Sequence, residues 1–311
     1  MNFGGEELKV IVTGGAGFIG SHIVDLLIQK NYEVIVIDSL IHGKAENVNS
    51  KAKFYRMDIC NNELKYLFEE EKPDFVIHEA AQMSVPKSIE NPINDAKVNI
   101  IGSLNILEAC KQSNVKKIIY PASAAIFGEP EYLPIDENHK LNMLSQYGVS
   151  KHTVEHYLQV YRNLYGIEYT SLRCSNVYGP RQDSSGEGGV IAIFCEKMLE
   201  GKKPIVFGNG NQIRDFVYVE DVAMASIMAM ESNINDIFNV CTGIKTSIND
   251  LIYMINTVLQ KDISPVYRDW RDGDIKQSWM SNKKIMDTLK WSPKYTILEG
   301  IRKTLNTPKM V

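Results

Sequence analysis

Two side chains that could exchange a proton stand four residues apart near the middle of the chain. Tyr147 and Lys151 have the spacing at which residues share one face of a helix. A free phenol has a pKa of about 10 and is a poor base at neutral pH. A neighbouring ammonium favours the phenolate and brings the phenol closer to working pH. Taken alone, the two residues could equally be an ordinary surface pair on an amphipathic helix. The surrounding motifs are needed to tell whether the pair is catalytic.

A glycine-rich turn follows the first predicted strand. Gly14, Gly17 and Gly20 come directly after the apolar residues 10–13 and before a helical pattern. Glycine permits a tight turn and a close approach to a pyrophosphate, while the helix N-terminus offers N–H groups and a positive dipole end. Asp38 ends the second predicted strand, where a carboxylate can accept both ribose hydroxyls and repels a 2′-phosphate. The pattern predicts a dinucleotide site that prefers NAD to NADP.

Two further polar residues follow predicted strands. Ser123 comes just after residues 117–120, and ligands of a doubly wound sheet bind beyond the carboxyl ends of its strands. By itself, a turn of small residues explains this serine more simply. Asp58, at the end of the third predicted strand, is a weaker candidate for an adenine contact.

Short apolar runs alternate with helical patterns in the first half of the chain. Strands are predicted at 10–13, 34–38, 54–57, 75–78, 117–120 and 169–173, and a long helix at about 145–164. Alternating strands and helices with nearly continuous apolar strands indicate an α/β fold with a doubly wound parallel Rossmann sheet. After Arg173 the pattern is less regular and richer in loop-forming residues.

This change of pattern suggests two domains. We predict a NAD-binding Rossmann domain over 1–173, with a returning segment near 217–243. A smaller α/β C-terminal domain, over 174–216 and 244–311, would bind the substrate.

The composition is that of an ordinary globular protein. The chain has 311 residues, 23% of them charged and 44% hydrophobic, with a formal net charge of −4. Without a basic tract, neither nucleic acid nor a membrane surface is expected as a partner. The absence of an 18-residue apolar run and of a signal-peptide pattern leads us to expect a cytoplasmic location.

The thiols and imidazoles show no strong metal pattern. Five scattered cysteines without C-x-x-C spacing suggest structural thiols in a reducing cytosol. His152 and His156 have the i, i+4 spacing of a helical metal site. No third ligand stands out in the sequence, so no metal site is predicted.

In combination, these motifs resemble the extended short-chain dehydrogenase/reductase family over nearly the whole chain. The glycine turn, Asp38, Ser123, Tyr147 and Lys151 occur in the order found in that family. Residues 176–182, 208–216 and 271–274 resemble motifs of its nucleotide-sugar branch, the NAD-dependent epimerases and dehydratases. The resemblance implies an isomerase that interconverts UDP-glucose and UDP-galactose by transient oxidation at C4 with tightly bound NAD.

The resemblance also assigns roles to individual positions. Tyr147 would remove the proton of the sugar's 4-hydroxyl, Lys151 would bind the nicotinamide ribose and lower the phenol's pKa, and Ser123 would hydrogen-bond the same hydroxyl. NAD would be bound by Gly14, Gly17, Phe18, Ile19, Gly20, Asp38, Asp58, Ile59, Ala80, Ala81, Asn99, Tyr147 and Lys151. The UDP-sugar would be bound by Ser84, Ser123, Asn176, Gly189, Val190, Arg214, Arg271, Asp274 and Ser278. Arginine suits a pyrophosphate because its forked donors match the oxygens.

Three residues narrow the reaction and the substrate. Ala124 and Ala125 stand where dehydratases of this branch carry an Asp-Glu pair, and alanine has no titratable group. Simple oxidation and re-reduction at C4 is therefore expected. Ser278 matches a position where a bulky tyrosine restricts related enzymes to plain hexoses. We therefore expect UDP-GlcNAc and UDP-GalNAc to be interconverted as well.

Two alternatives and an assembly remain as hypotheses. An epimerase of a UDP-uronic acid would need an extra polar contact for the C6 carboxylate, which the sequence does not reveal. A non-catalytic NAD-binding regulatory protein would be expected to lack one of the three catalytic side chains, all of which are present. The family resemblance further suggests a homodimer formed through helices at 98–110 and 147–164.

Overall fold

The apolar runs of the sequence form strands in the computed structural model of the chain, which describes residues 8–185, 189–271 and 274–306. The strands are β1 (Lys9–Thr13), β2 (Glu33–Asp38), β3 (Lys53–Arg56), β4 (Phe75–His78), β5 (Lys117–Ser123), β6 (Glu168–Cys174), β7 (Asn176–Tyr178), β8 (Ile205–Phe207), β9 (Ile213–Arg214), β10 (Phe216–Tyr218), β11 (Asp236–Val240), β12 (Thr246–Ser247) and β13 (Val266–Arg268). The helices are α1 (Phe18–Gln29), α2 (Leu64–Glu71), α3 (Val85–Glu90), α4 (Pro92–Ala96), α5 (Ser103–Gln112), α6 (Gln146–Tyr165), α7 (Val190–Leu199), α8 (Val219–Glu231), α9 (Ile248–Leu259), α10 (Lys283–Leu289) and α11 (Ile297–Asn306). Within these described ranges, none of the helices has the length and apolar character needed to cross a membrane.

Seven strands form one sheet in the order β11, β6, β5, β4, β1, β2, β3. β1 pairs in parallel with both β2 and β4, and the β2–β3 and β4–β5 pairs are parallel as well. The order of the strands therefore reverses between β1 and β4, which is where ligands bind in doubly wound sheets. This topology confirms the predicted Rossmann fold.

A hydrophobic core lies between this sheet and the helices that flank it. Ile11, Ile37 and Ile118 of the strands and Phe68 and Leu158 of the helices belong to one cluster of buried side chains. Because helices cover the sheet, its strands are apolar throughout rather than alternately apolar and polar. Burying each such side chain stabilises the fold by about 1.5–3 kcal/mol. The core thereby holds the carboxyl ends of the strands in fixed positions.

The described chain divides into two compact units. The first contains residues 8–127, 141–173 and 223–238, and the second contains the described parts of 128–140, 174–222 and 239–311. Residues 128–140 group with the second unit, whereas the domain boundaries inferred from the sequence put them in the first. Those inferred boundaries stay a prediction.

The second unit is built from short strand pairs and helices. β7 pairs in parallel with β10, β8 in parallel with β13, and β9 antiparallel to β12. The carboxylate of Asp215, next to β9, accepts hydrogen bonds from the backbone N–H groups of Thr242 and Gly243 at 2.9 and 2.8 Å. This buried acid ties the segment after β11 to the strand that carries Arg214.

Candidate active site

The glycine turn lies at the carboxyl end of β1, beside the point where the strand order reverses. Gly14 has φ +69°, and a Cβ there would lie 2.6 Å from the backbone N of Ala80. A Cβ on Gly20 would lie 2.3 Å from the carbonyl oxygen of Gly14, so neither position can accept a side chain. Helix α1 begins immediately after Gly17, which has no side chain to cap the free N–H groups. The turn therefore presents bare backbone donors, as a pyrophosphate site requires.

Asp38 stands at the end of β2, next to this turn. Its Oδ2 accepts a hydrogen bond from Ala16 N at 3.0 Å, and its Oδ1 accepts one from Leu40 N at 2.8 Å. Each carboxylate oxygen keeps a second lone pair, so the group can still accept ribose hydroxyls. Asp38 is buried, and this fixed negative charge opposes a 2′-phosphate.

Asp58 and Ile59 follow the neighbouring strand β3. Asp58 Oδ1 accepts a hydrogen bond from Cys60 N at 2.8 Å, which shapes the turn after the strand. Ile59 is buried, and its carbonyl accepts a hydrogen bond from Asn105 Nδ2 at 3.1 Å. Both residues thus lie at the same edge of the sheet as Asp38, and their cofactor contacts stay a prediction.

Asn99 lies in a π-helical turn, Lys97–Gly102, and its side chain is bonded to other parts of the protein. Its Nδ2, which carries two hydrogens, lies 3.0–3.1 Å from three acceptors, Gln82 O, Asp95 Oδ1 and Ser150 Oγ, and its Oδ1 accepts from Gln82 N at 2.7 Å. Asn99 therefore joins the loop after β4, which contains Ala80 and Ala81, to the helix α6. This geometry favours a positioning role, while its predicted contact with NAD remains to be tested.

Tyr147 and Lys151 lie on the first two turns of α6. The helix starts at Ser145, whose Oγ accepts a hydrogen bond from Gly148 N at 3.2 Å. Lys151 is buried, and its ammonium lies 4.6 Å from the centroid of the Tyr120 ring, within the range of a cation–π contact. The ring of Tyr120 and the helix thereby fix the ammonium on the face that also carries Tyr147.

Ser123 is held against the start of the same helix. Its Oγ accepts a hydrogen bond from Ala125 N at 3.2 Å and begins the 3₁₀ turn Ala124–Ile126. A Cβ on Gly148 would lie 2.8 Å from Ala125 O, so α6 packs directly on the backbone of this turn. The three predicted catalytic residues therefore lie on two elements in backbone contact. Gly148 was not among the predicted site residues, because no local pattern distinguishes a glycine needed for packing.

A buried imidazole, His78, and a half-buried acid, Glu79, follow one another at the end of β4. His78 bonds to Thr13 Oγ1 at 2.7 Å and to Ser103 Oγ at 2.9 Å, and burial together with the charge of Lys151 lowers its pKa to about 3. Burial raises the pKa of Glu79, against the opposing effect of Lys151. Its Oε1 is buried and has no hydrogen-bond partner among the described residues. Glu79 directly precedes Ala80, whose backbone packs against the glycine turn.

Ser84, a predicted substrate residue, also lies in the first unit. Its Oγ caps α3 by accepting a hydrogen bond from Lys87 N at 3.2 Å. The residue is buried, and its backbone N–H donates to the side chain of Gln82. The structure therefore gives Ser84 a structural role, and its contact with substrate stays a prediction.

Seven predicted substrate residues fall in the second unit, and two of them, Arg214 and Ser278, lie on or beside β9. Arg214 ends this strand, and burial lowers the pKa of its guanidinium while Asp274 and Glu129 oppose that effect. Ser278 N donates a hydrogen bond to Ile213 O at 3.0 Å, which places Ser278 beside the same strand.

Arg271 and Asp274 are linked through the backbone. Asp274 N donates a hydrogen bond to Arg271 O at 3.2 Å. The guanidinium of Arg271 lies 3.7 Å from the centroid of the Phe207 ring, an aromatic residue that the sequence did not suggest. Asp272 and Gly273, which complete this sequence motif, lie outside the described residues.

The other three are Asn176, Gly189 and Val190. Asn176 begins β7 and is exposed, and Gly189 and Val190 begin α7. A Cβ on Gly189 would lie 2.5 Å from Gln182 Nε2, which itself donates to Val177 O at 3.0 Å. Gln182, another residue not predicted, thus connects β7 to the start of α7. The N-terminal N–H groups of α7 can bind an anion such as a phosphate.

A model of the NAD dependent epimerase/dehydratase family matches residues 10–241. The chain belongs to this family. A solved UDP-glucose 4-epimerase of Thermotoga maritima with UDP-glucose is 44% identical, with a TM-score of 0.94 and coverage of 96% of this chain and 97% of that one. One from Thermus thermophilus, in complex with NAD, is 42% identical, with a TM-score of 0.90 and coverage of 96% and 98%. A UDP-N-acetylglucosamine 4-epimerase of Methanobrevibacter ruminantium is 38% identical, with a TM-score of 0.92 and coverage of 97% and 98%.

Proposed function

We propose that the protein is a UDP-hexose 4-epimerase that interconverts UDP-glucose and UDP-galactose. One observation supports this most directly: Tyr147 and Lys151 lie on a helix packed against the Ser123 turn, in which Ala124 and Ala125 offer no acid for elimination. The names of the similar solved enzymes agree with the isomerase activity expected from the sequence.

The structural features of the first unit fit the NAD that the family description implies. The side-chain-free glycine turn and the start of α1 would hold the pyrophosphate, and Asp38 would accept the adenosine ribose hydroxyls. Lys151 would donate to the nicotinamide ribose, and its charge also acts on Glu79. When bound, NAD⁺ would supply the acceptor for a hydride from C4, and its reduced form would supply the donor for the return of that hydride.

The protein side chains handle the proton of the 4-hydroxyl. Tyr147 Oη takes this proton as the C–H bond breaks, which leaves a 4-keto sugar. The ammonium of Lys151 favours the phenolate form that can accept the proton. Ser123 Oγ donates to, or accepts from, the same sugar oxygen and so fixes its position. After the keto sugar has turned, Tyr147 would return the proton to the C4 oxygen, and the 4-hydroxyl would re-form with the opposite configuration.

The substrate's nucleotide must stay bound while its sugar turns. Arg214 and Arg271 would bind the diphosphate, assisted by the N-terminus of α7 at Gly189 and Val190. The stacking of Arg271 on Phe207 restricts the guanidinium to one orientation before substrate arrives. We also propose that N-acetylated hexoses are substrates, because Ser278, which lies beside β9, has a small side chain.

Product analysis without added cofactor or reductant tests this function. Purified protein is incubated in parallel with UDP-galactose, UDP-GalNAc and UDP-galacturonate, and the products are separated by anion-exchange chromatography. We expect UDP-glucose and UDP-GlcNAc to form and the uronic acid to stay unchanged. Conversion of UDP-galacturonate alone would support the uronic acid alternative. No conversion of any substrate would support a non-catalytic protein.

We further propose that the active form is a homodimer in the cytoplasm. Apolar side chains are exposed on the helices expected to form the interface, among them Ile101 (51%), Val149 (47%), Val160 (46%) and Leu164 (67%). Val149 and Val160 lie three helical turns apart on one face of α6, where exposed apolar side chains can contact a partner. None of the five cysteines forms a disulfide, which fits a reducing compartment.

A further inference from the structure

Trp270 is an exposed aromatic residue of the second unit that the proposed reaction does not use. It is 43% exposed, although tryptophan is highly buried on average in folded proteins. It directly precedes Arg271, which would bind the diphosphate of the substrate. An aromatic ring that is open to solvent beside this arginine could contact another part of the same substrate.

Gly208 fixes the orientation of the Trp270 ring. Gly208 has φ +77°, and a Cβ on it would lie 2.5–2.6 Å from three adjoining atoms of the ring, Cε2, Cδ2 and Cζ2. Nearly equal distances to three adjoining ring atoms mean that the glycine packs against a face of the indole and not against its edge. Because one face is covered by backbone and the residue is still 43% exposed, the opposite face of the indole is open.

Trp270 and Arg271 lie side by side over the end of β8. The guanidinium of Arg271 lies 3.7 Å from the centroid of the Phe207 ring, and the indole packs on Gly208, the next residue of the chain. A hydrogen bond of 2.8 Å from Gly208 N to Arg268 O joins the two segments just before this contact. Two successive side chains therefore pack on two successive residues. The open indole face lies next to the guanidinium as a result.

We propose that the open face of Trp270 stacks on the pyrimidine base of the nucleoside diphosphate, an assignment that rests on the proposed function because Arg271 places the diphosphate. A single ribose separates the base from the diphosphate, so the base can reach a ring beside the arginine. Aromatic side chains stack on any base, since every base has a π face. Trp270 thus contributes affinity for the nucleotide and takes no part in proton or hydride transfer.

Calorimetric titration of the protein, with its bound NAD, by UDP and by inorganic pyrophosphate tests this contact. Trp270→Ala should weaken UDP binding by about ten-fold or more, as expected for the loss of a stacked base. Pyrophosphate has no base, so its affinity should not change. Trp270→Phe keeps an aromatic face and should lose less affinity for UDP than Trp270→Ala does.

Steady-state kinetics with UDP-galactose give a second measure of the same contact. Trp270→Ala should raise KM by a factor similar to its loss of UDP affinity and change kcat by less than about two-fold. The reason is that a contact made equally in the ground state and the transition state affects binding alone.

Two glycines of the second unit provide a matched pair of variants. Gly201 has φ +75°, close to that of Gly208, but a Cβ on Gly201 would meet no atom within 4 Å. Gly208→Ala displaces the indole and should weaken UDP binding about as much as Trp270→Ala does, whereas Gly201→Ala should bind UDP as the wild type does. In the Trp270→Ala background, Gly208→Ala should have little further effect, because no indole is left to displace. Circular dichroism checks that each variant is folded.

The outcomes separate the base contact from the proposed epimerase activity. UDP binding that depends on Trp270 in a protein without activity would overturn the epimerase function and support the base contact. An active enzyme in which Trp270→Ala binds UDP normally, or loses UDP and pyrophosphate equally, would overturn the base contact. Normal UDP binding by Gly208→Ala would overturn it as well. A wild type that does not bind UDP would overturn both.

Discussion

At the scale of single residues, Tyr147 is the group on which the proposed proton transfer depends. Tyr147→Phe removes Oη and keeps the ring, so the helix and the bound NAD should stay in place. Loss of a positioned general base typically costs about 10²–10⁴-fold in rate, and we expect kcat to fall by this factor. The conversion of UDP-galactose by the NAD-loaded variant measures it.

The matched control for this change is Tyr165→Phe, the same substitution at the exposed end of the same helix. It should leave kcat unchanged. If Tyr147→Phe kept more than a tenth of the wild-type kcat with normal NAD content, another group would have to be the base.

Ser278 is expected to control the size of the accepted sugar. Ser278→Tyr places a large ring beside β9. It should reduce kcat/KM for UDP-GalNAc at least about ten-fold, because even small changes in the size of a pocket discriminate between substrates to this extent. UDP-galactose should still be converted. Parallel kinetics on both substrates measure the ratio. Ser278→Ala, which keeps the position small, should convert both substrates normally. Equal losses with both substrates would show that the position does not select for size.

Individual residues differ in how well the sequence predicted them. Asp38 and the glycines were predictable because their positions follow directly from a strand and a turn. Glu79 was not, because an acid after a strand has the same local appearance whether its oxygen is buried or solvated. Phe207 was also missed, since its contact with Arg271 joins residues that are distant along the chain.

At the scale of elements, the contact between α6 and the Ser123 turn depends on Gly148. Gly148→Ala would place Cβ 2.8 Å from Ala125 O and 3.3 Å from the Met143 side chain, so the helix or the turn must move. Because a shift of about 1 Å between reacting groups can cost about 10²-fold, we expect a large fall in kcat. Steady-state kinetics and thermal melting of the same preparations measure the effect.

Gly166→Ala provides the control for the glycine substitution. Gly166 ends the same helix with φ +75°, and a Cβ there would meet no atom within 4 Å. This change should lower stability by about 1 kcal/mol through backbone strain and leave kcat unaltered. If Gly148→Ala behaved in the same way, the proposed packing of catalytic elements would be wrong.

The elements themselves show where periodicity is informative. The predicted helix at 98–110 becomes a π-helical turn, Lys97–Gly102, followed by α5. An extra residue in one turn changes which side chains face the core, and the apolar pattern alone does not reveal it. The short helices α3 and α4 are capped by Ser84 and Asn91, and a proline follows each cap within two residues. This capping signal is not part of the hydrophobic periodicity.

At the scale of the whole molecule, the exposed apolar face of α6 predicts association. Light scattering after size exclusion should give twice the 35.2 kDa of one chain. Val160→Glu introduces a charge into this face and should yield monomers, because an unpaired charge in an interface is costly. Tyr253→Glu, on an exposed position of α9 in the second unit, should leave the dimer intact. A monomeric wild type, or a dimeric Val160→Glu variant, would contradict the proposed interface.

The overall architecture was more predictable than the grouping of its segments. Strand–helix alternation is a local property, and it sufficed for the doubly wound sheet. The grouping of residues 128–140 with the second unit depends on long-range contacts, such as Asn239 N donating to Glu137 Oε1 at 2.8 Å. Such pairing between segments about a hundred residues apart cannot be recognised from the sequence of either segment alone.

The stability of the whole chain should report which dinucleotide it binds. A ligand that binds only the folded state stabilises it by RT ln(1 + [L]/Kd), about 2.7 kcal/mol at a hundred-fold excess over Kd. NAD⁺ added to protein stripped of cofactor should therefore raise the melting temperature by several degrees. NADP⁺ at the same concentration should raise it much less, because the buried Asp38 is held by two backbone N–H groups and cannot turn away from a 2′-phosphate. Asp38→Asn removes the negative charge, so the rises in melting temperature caused by NAD⁺ and by NADP⁺ should become more similar. Equal stabilisation of the wild type by both would mean that Asp38 does not contact the ribose.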